Sequence, residues 1–318
     1  MTPPSIKLED FDSVLGSMDV PSAIETLKEL AQSALALPDK SIYLQICSQV
    51  ALAQSMNNQF NEAHTTLDQA EKLSNPEHSL AHARLLLERG RLWYQFSLFG
   101  TQDQEEALCA LEKAFHLFKQ SFELSEKNRF DYHTVNAAHM LGIVAQSVVD
   151  KITWNSVALD HAEESDDQKT KSWIPALLNN LGHNYLSAQQ YDNALVTFKK
   201  SRALQEQQGL PAHIRLGTWT IAHTLRLMGN VDEALTLLHE LANEFAAMIK
   251  NGNLDVPEEV LHSTRGMVYE DIAECLLVKA KQASQLAYDD LAKTPWIKLP
   301  EYKGRLERLL EIKDSIPL

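Results

Sequence analysis

Residues 175–208, PALLNNLGHNYLSAQQYDNALVTFKKSRALQEQQ, constrain this chain more tightly than any other stretch. Apolar and small residues fall at Leu178, Leu181, Gly182 and Tyr185, and after a short polar break they resume at Tyr191, Ala194, Leu195, Phe198 and Leu204. Both runs follow helical i, i+3, i+4, i+7 spacing, which places each set on one face. The break is too short for anything but antiparallel packing, so the stretch reads as a helical hairpin. Gly182 and Ala194 have too little side chain to hold two backbones apart, and Tyr185 and Phe198 can interlock around them. Ala194→Leu is expected to overpack that crossing and cost about 1–3 kcal/mol in thermal denaturation.

The same pattern recurs along the chain. Residues 1 to about 20 are an acidic, Pro-containing lead-in, and Ser22 is placed to cap a helix to Leu37, with Glu25 completing a capping box. Hairpins are expected at 42–56 with 60–73, marked by Val50, Ala51, Ala63 and Leu67, and, after Pro76, at 77–98 with 103–124. In that second hairpin Gly90 and Ala107 stand in for Gly182 and Ala194, but 17 residues apart instead of 12, which implies a five-residue longer turn around SLFGTQDQ. A third, 131–149 with 151–164, keeps Leu141 and Gly142 but has Trp154 where alanine is expected. A later one, 211–228 with 231–249, carries Ile221, Ala222, Leu225, Ala234, Leu238 and Leu241, with Gly229 suited to a left-handed turn. A sixth is expected at 257–279 with 281–293, Ala273 taking the glycine place, and then Trp296 and a helix over 300–313 as a terminal cap. The glycine-type positions Ala51, Gly90, Gly142, Gly182, Ala222 and Ala273 are separated by 39, 52, 40, 40 and 51 residues. The expected organisation is a lead-in and capping helix over 1–40, a solenoid over 41–295 and a C-terminal capping helix over 296–318.

The placement of Leu178, Leu181, Gly182, Tyr185, Ala194, Phe198 and Ser201 resembles the tetratricopeptide (TPR) signature. TPR units are usually about 34 residues long; the spacing near 40 here resembles the extended-helix branch of the family, which includes peptide-sensing regulators and polarity scaffolds. The resemblance implies an all-α fold, a right-handed superhelix of TPR-like hairpins (an α-solenoid) with capping helices at both ends. It also implies that the first helix of each hairpin lines a concave groove.

Composition and motifs narrow the function by exclusion. A formal charge of −14 sets up a field that repels phosphate backbones and anionic membranes, so neither nucleic acid nor membrane is expected as a partner. Cys47, Cys109 and Cys275 are sparse, odd in number and unpaired in sequence, which reads as reduced, buried thiols of a cytoplasmic protein. The N-terminus has no basic and apolar leader, and no run of about 18 apolar residues occurs. There is no phosphate-cradling loop, no nucleophile elbow and no dinucleotide fingerprint. After His239-Glu240 the second zinc ligand is replaced by Asn243, and no cofactor or metal is implied.

What remains is the groove. Counted from the glycine-type positions, the inward-facing residues are Arg84, Leu87, Arg91 and Tyr94, then Asn136, His139 and Gln146. Asn179, Asn180 and His183 follow, then Trp219, His223 and Arg226, and finally Glu270 and Glu274. Asn and Arg can hold the amides or carboxylates of an extended peptide, while Trp219 and Tyr94 offer flat apolar anchors. A polar helix face is also what solvation alone would produce. The clamp that TPR domains close on chaperone tails is disfavoured: only Asn180 matches it, with His139, Ile143, Leu216 and Thr220 at the other places. His183 and His223 share one repeat position but would need a third ligand to hold a metal.

The expected function is a non-catalytic scaffold or adaptor, monomeric or homodimeric, that binds a protein or peptide segment in its groove. A peptide- or small-ligand-sensing regulator acting through a partner is the alternative. An enzyme assembled from groove histidines and carboxylates is the third.

Overall fold

The computed structural model describes residues 7–75, 79–292 and 304–315. Among them every regular element is a helix. Pro76, Trp296 and the first residues of the expected terminal cap lie outside the described residues. The chain divides into two compact units, Met1–Asn184 and Tyr185–Leu318.

The first unit opens with a short 3-10 turn, Leu8–Ser13, and α1, Val20–Leu35. Its cap is Asp19, not Ser22: the Asp19 carboxylate accepts the Ser22 N–H at 3.0 Å and the Ser22 hydroxyl at 2.8 Å. Pro21 explains the earlier start, because it has no N–H to lose in a first turn and its φ is already helical. Three hairpins follow: α2 (Ser41–Met56) with α3 (Phe60–Glu71), α4 (Ser79–Gln95) with α5 (Gln104–Lys127), and α6 (Asp131–Val144) with α7 (Val148–Glu164). The unit boundary falls within α8, Ile174–Ser187. The second unit contains α9 (Tyr191–Gln208), α10 (Pro211–Leu227), α11 (Val231–Asn251), α12 (Glu258–Leu291) and α13 (Arg305–Ser315).

The second helices share one register. Ala63, Ala114, Ala158, Ala194 and Ala234 are all 0% exposed. Four and seven residues on from each come Leu67 and Ala70, Phe118 and Ser121, Ala162 and Ser165, Phe198 and Ser201, Leu238 and Leu241, all buried. This corrects the second hairpin. Ala107 is only half-buried, and Ala114, two turns further along, holds the fully buried place. A methyl on Gly90 would stand 2.5 Å from Cε1 of Phe118, so the glycine makes room for that ring. The extra residues do not lengthen the turn. They lengthen both helices: α4 runs on through a π-helical turn, Phe96–Gly100, and α5 spans 24 residues.

In the third hairpin Ala158 takes the small-residue place, and Trp154 packs edge-on against Phe115 and Phe122. Three first helices, α2, α8 and α10, close on left-handed residues, Asn58 (φ 59°), Gln189 (φ 57°) and Gly229 (φ 83°), each followed by a backbone N–H that reaches back to the carbonyl of Gln54, Tyr185 or Leu225.

The expected sixth hairpin is a single 34-residue helix, α12, because VKAKQASQLA contains no residue that breaks one. Ala273 is exposed there while Val268, Ile272 and Cys275 are buried, so Ile272 faces the core where Ala273 was expected. Cys47 and Cys275 are buried as expected, but Cys109 is exposed.

Candidate functional site

In the first unit, Arg84, Glu88 and Arg91 fall at i, i+4, i+7 on α4 and so share a face. The N-terminal turn brings Asp12 to Arg84, whose Nη1 donates to Asp12 Oδ2 at 3.1 Å while Nη2 pairs with Oδ1. Arg84 also donates from Nε to Ser48 Oγ at 3.2 Å and lies over the Phe11 ring at 5.1 Å. Arg91 donates to Glu88 Oε1 at 2.6 Å and, from Nη2, to Asn136 Oδ1 at 2.7 Å, which ties α4 to α6. Arg84, Glu88 and Asn136 are each less than 9% exposed, burial that only paired charges and amides tolerate. A one-turn helix between the hairpins, Gln168–Lys171, is capped by Asp167 and sets the Lys169 ammonium 4.2 Å from the centre of the Tyr132 ring. Together these groups and Trp173 enclose a cavity of about 300 Å³.

Burial shapes the charges around that cavity. It pushes the Glu88 carboxyl above its ordinary range, since Arg91 and Arg84 offset it only in part. Burial would also raise Asp12, but the Arg84 hydrogen bond and charge together outweigh it and hold the group low. Desolvation, helped by Arg84, drives His133 down to about 3, and desolvation with Arg91 drives His139 down to about 4. Both imidazoles are therefore neutral at physiological pH. The remaining residues expected in the groove of this unit divide. Tyr94 and Leu87 serve the apolar cluster of the second and third hairpins, Leu87 at 2% exposed. His139 lies edge-on to Trp173 with ring centres 5.4 Å apart. Asn179, Asn180 and His183 are half-buried on α8, and the two asparagine side chains make no hydrogen bond to another described residue. Gln146 is exposed beyond the end of α6.

The second unit is organised around a residue outside the sequence-derived set. Asp271 on α12 is 3% exposed and accepts from three side chains of α10. Trp219 Nε1 reaches it at 2.9 Å, His223 Nδ1 lies 3.0 Å from both of its oxygens, and Arg226 Nε donates at 2.6 Å. Burial would raise the Asp271 carboxyl, but His223 and Arg226 together hold it below its ordinary value. An ionised carboxylate only accepts, so His223 Nδ1 is the donor in this contact. Trp219 and His223 rings lie 5.4 Å apart. Glu270 and Glu274, expected in the groove, are exposed, while the residue next to Glu270 meets the α10 row. The signal was present in the sequence: Asp271 stands within the helical stripe of Val268, Ile272 and Cys275, three residues on from Val268 and four before Cys275. A carboxylate there requires donors from a neighbouring helix.

Among the described residues, no cluster of three His, Cys, Asp or Glu side chains is placed to hold a metal ion, and no helix is long and apolar enough to cross a membrane.

With this geometry in view, solved structures resolve the fold class. The apo form of RapI superposes with a TM-score of 0.54 at 14% identity, over 84% of this chain and 96% of that one. A Rap protein complexed with Competence and Sporulation Factor gives 0.52 at 16% identity, over 97% and 86%. TPR-like repeats of a kinesin light chain from Podosopora anserina give 0.50 at 18% identity, over 69% and 100%. The fold is that of the TPR-like helical repeat proteins. No family model matches the chain, and no curated protein matches it.

Proposed function

We propose that this chain is a cytoplasmic, non-catalytic regulator that binds a protein or peptide segment along the first helices of its hairpins. The observation that carries the reading is Asp271. A helix face that only needs solvation has no use for a buried carboxylate, and burying one costs several kcal/mol before its partners offset it. Here it immobilises Trp219, His223 and Arg226 at i, i+4, i+7 while His223 and Arg226 stay 27% and 20% exposed. That is a preorganised row: an aromatic face, an imidazole edge and the four Nη hydrogens of Arg226, all positioned before a ligand arrives. The half-buried amides of Asn179 and Asn180 supply backbone-holding groups of the same kind in the first unit.

A buried carboxylate on a histidine is also half of a hydrolase triad, but the thiol and hydroxyls beside it on α12 and α10 are not poised as nucleophiles. Cys275, one turn along α12 from Asp271, is 0% exposed and burial pushes its thiol up. Thr220 and Thr224 donate their hydroxyls to backbone carbonyls. Likeness to a Rap protein solved with Competence and Sporulation Factor supports a regulator over a passive scaffold.

Selection of displayed peptides on the full-length protein tests this. Enriched sequences should bind the wild type and lose roughly tenfold in affinity on Arg226→Ala or Trp219→Ala. Enrichment no better than on an unrelated helical protein, or peptides that bind both variants as tightly as the wild type, would remove the groove from consideration.

A further inference from the structure

The pocket of the first unit runs against the charge of its chain. The protein carries −14, yet the cavity is lined by three cations, Arg84, Arg91 and Lys169, and only two carboxylates, Asp12 and Glu88. Both carboxylates are already engaged, Asp12 by Arg84 and Glu88 by Arg91. His133, on the same wall, is neutral. The third cation, Lys169, faces the Tyr132 ring with its ammonium and forms no ion pair with a described carboxylate, its charge acting on Asp167 and Asp12 only at longer range. Arg91 uses one N–H of each Nη, so its Nε–H and one further N–H on each Nη are unused. A cationic ligand would have to displace one of two charge-assisted pairs, each with one buried partner, and then face Lys169.

We propose that this pocket takes a carboxylate of the bound segment, either its C-terminus or an acidic side chain, held by Lys169 and the unused N–H groups of Arg91. The inference rests on the segment-binding reading above. Tyr132 and Trp173 form flat walls for the adjoining apolar atoms, and the size of the cavity, about 300 Å³, suits one side chain with its neighbouring backbone. Lys169 belongs to no repeat position. It stands on the one-turn helix inserted before α8, held there because Asp167 accepts the N–H groups of Lys169 and Thr170 at 3.2 and 3.0 Å.

Three pools of random hexapeptides distinguish the sources: one without Asp or Glu but with a free C-terminus, one without either and C-amidated, and one C-amidated with a single Glu. Each is incubated with the full-length protein, passed through gel filtration, and the retained peptides are quantified by mass spectrometry. At least one acidic pool should be retained in excess of the neutral pool, and which one it is names the source. The excess should fall roughly three- to tenfold in Lys169→Gln, survive Lys169→Arg, and shrink with added salt. Lys169 is exposed, so a melt matching the wild type is expected and shows that a loss is not unfolding. Equal retention of acidic and neutral pools, or an excess unchanged in Lys169→Gln, overturns the carboxylate site and leaves segment binding standing. Retention of no pool at all overturns both.

Discussion

The two units solve the same problem, how to hold polar groups on the first helices of their hairpins, in opposite ways. In the first unit the charges are distributed: Arg84 answers Asp12, Arg91 answers Glu88 and Asn136, and a cavity is left between them. In the second, a single buried carboxylate, Asp271, gathers three side chains of one helix. A distributed network loses one pair at a time. A convergent one stands or falls with its centre.

Removing that centre is expected to have the largest effect. Asp271→Ala leaves Trp219 Nε1, His223 and Arg226 without their common acceptor and should cost about 3 kcal/mol, read as a shift in the urea midpoint of the full-length protein. A change below about 0.5 kcal/mol would show that the three donors find water instead, and the contrast between the units would vanish.

Acid should separate the units next. His133 and His139 belong to the first, and their folded pKa values, about 3 and about 4, lie below the ordinary 6.5. The unfolded chain therefore takes up protons first, and the stability held above pH 6.5 drains away as the pH falls towards 4. Asp271 is also depressed, but from 3.8, so its contribution is lost only at still lower pH. Hydrogen exchange between pH 6.5 and 4.5 should show α6 losing protection, on the order of 2 kcal/mol for each histidine, before α10 and α12 do. Simultaneous loss in both units would contradict this assignment of buried neutral imidazoles.

Arg84→Gln should cost less, about 1 kcal/mol, because Asp12 is 40% exposed and water can replace the lost partner. A loss as large as that of Asp271→Ala would mean that the first unit also converges on one residue. Smallest of all, Ala273→Leu should change the urea midpoint by less than about 0.5 kcal/mol, since that side chain faces solvent. If it proves costly, the register of α12 is the one read from the sequence.

Much of the fold was legible because it is local. The spacing of Leu178, Leu181, Gly182 and Tyr185 follows from the pitch of one helix, as do the breaks that end α2 and α10. Errors came where local rules are silent. Ala107 was placed opposite Gly90 by assuming that extra residues lengthen a turn, yet FSLFG continues α4 by a π-helical turn and Phe118 fills the space over the glycine. A second break was placed near residue 280 because the repeat called for one, although nothing in VKAKQASQLA ends a helix.

By itself the sequence determined that the chain is helical, that its hairpins cross at small residues, and which helix faces are polar, since each of these depends on residues within about two turns of one another. Only the tertiary structure decided what those polar faces do. Asp271 meets Trp219 and His223 across 52 and 48 residues, and Asp12 meets Arg84 across 72. Pairings over such distances are chosen by how helices dock, and a shift of one residue in α12 exchanges a buried carboxylate for an exposed one.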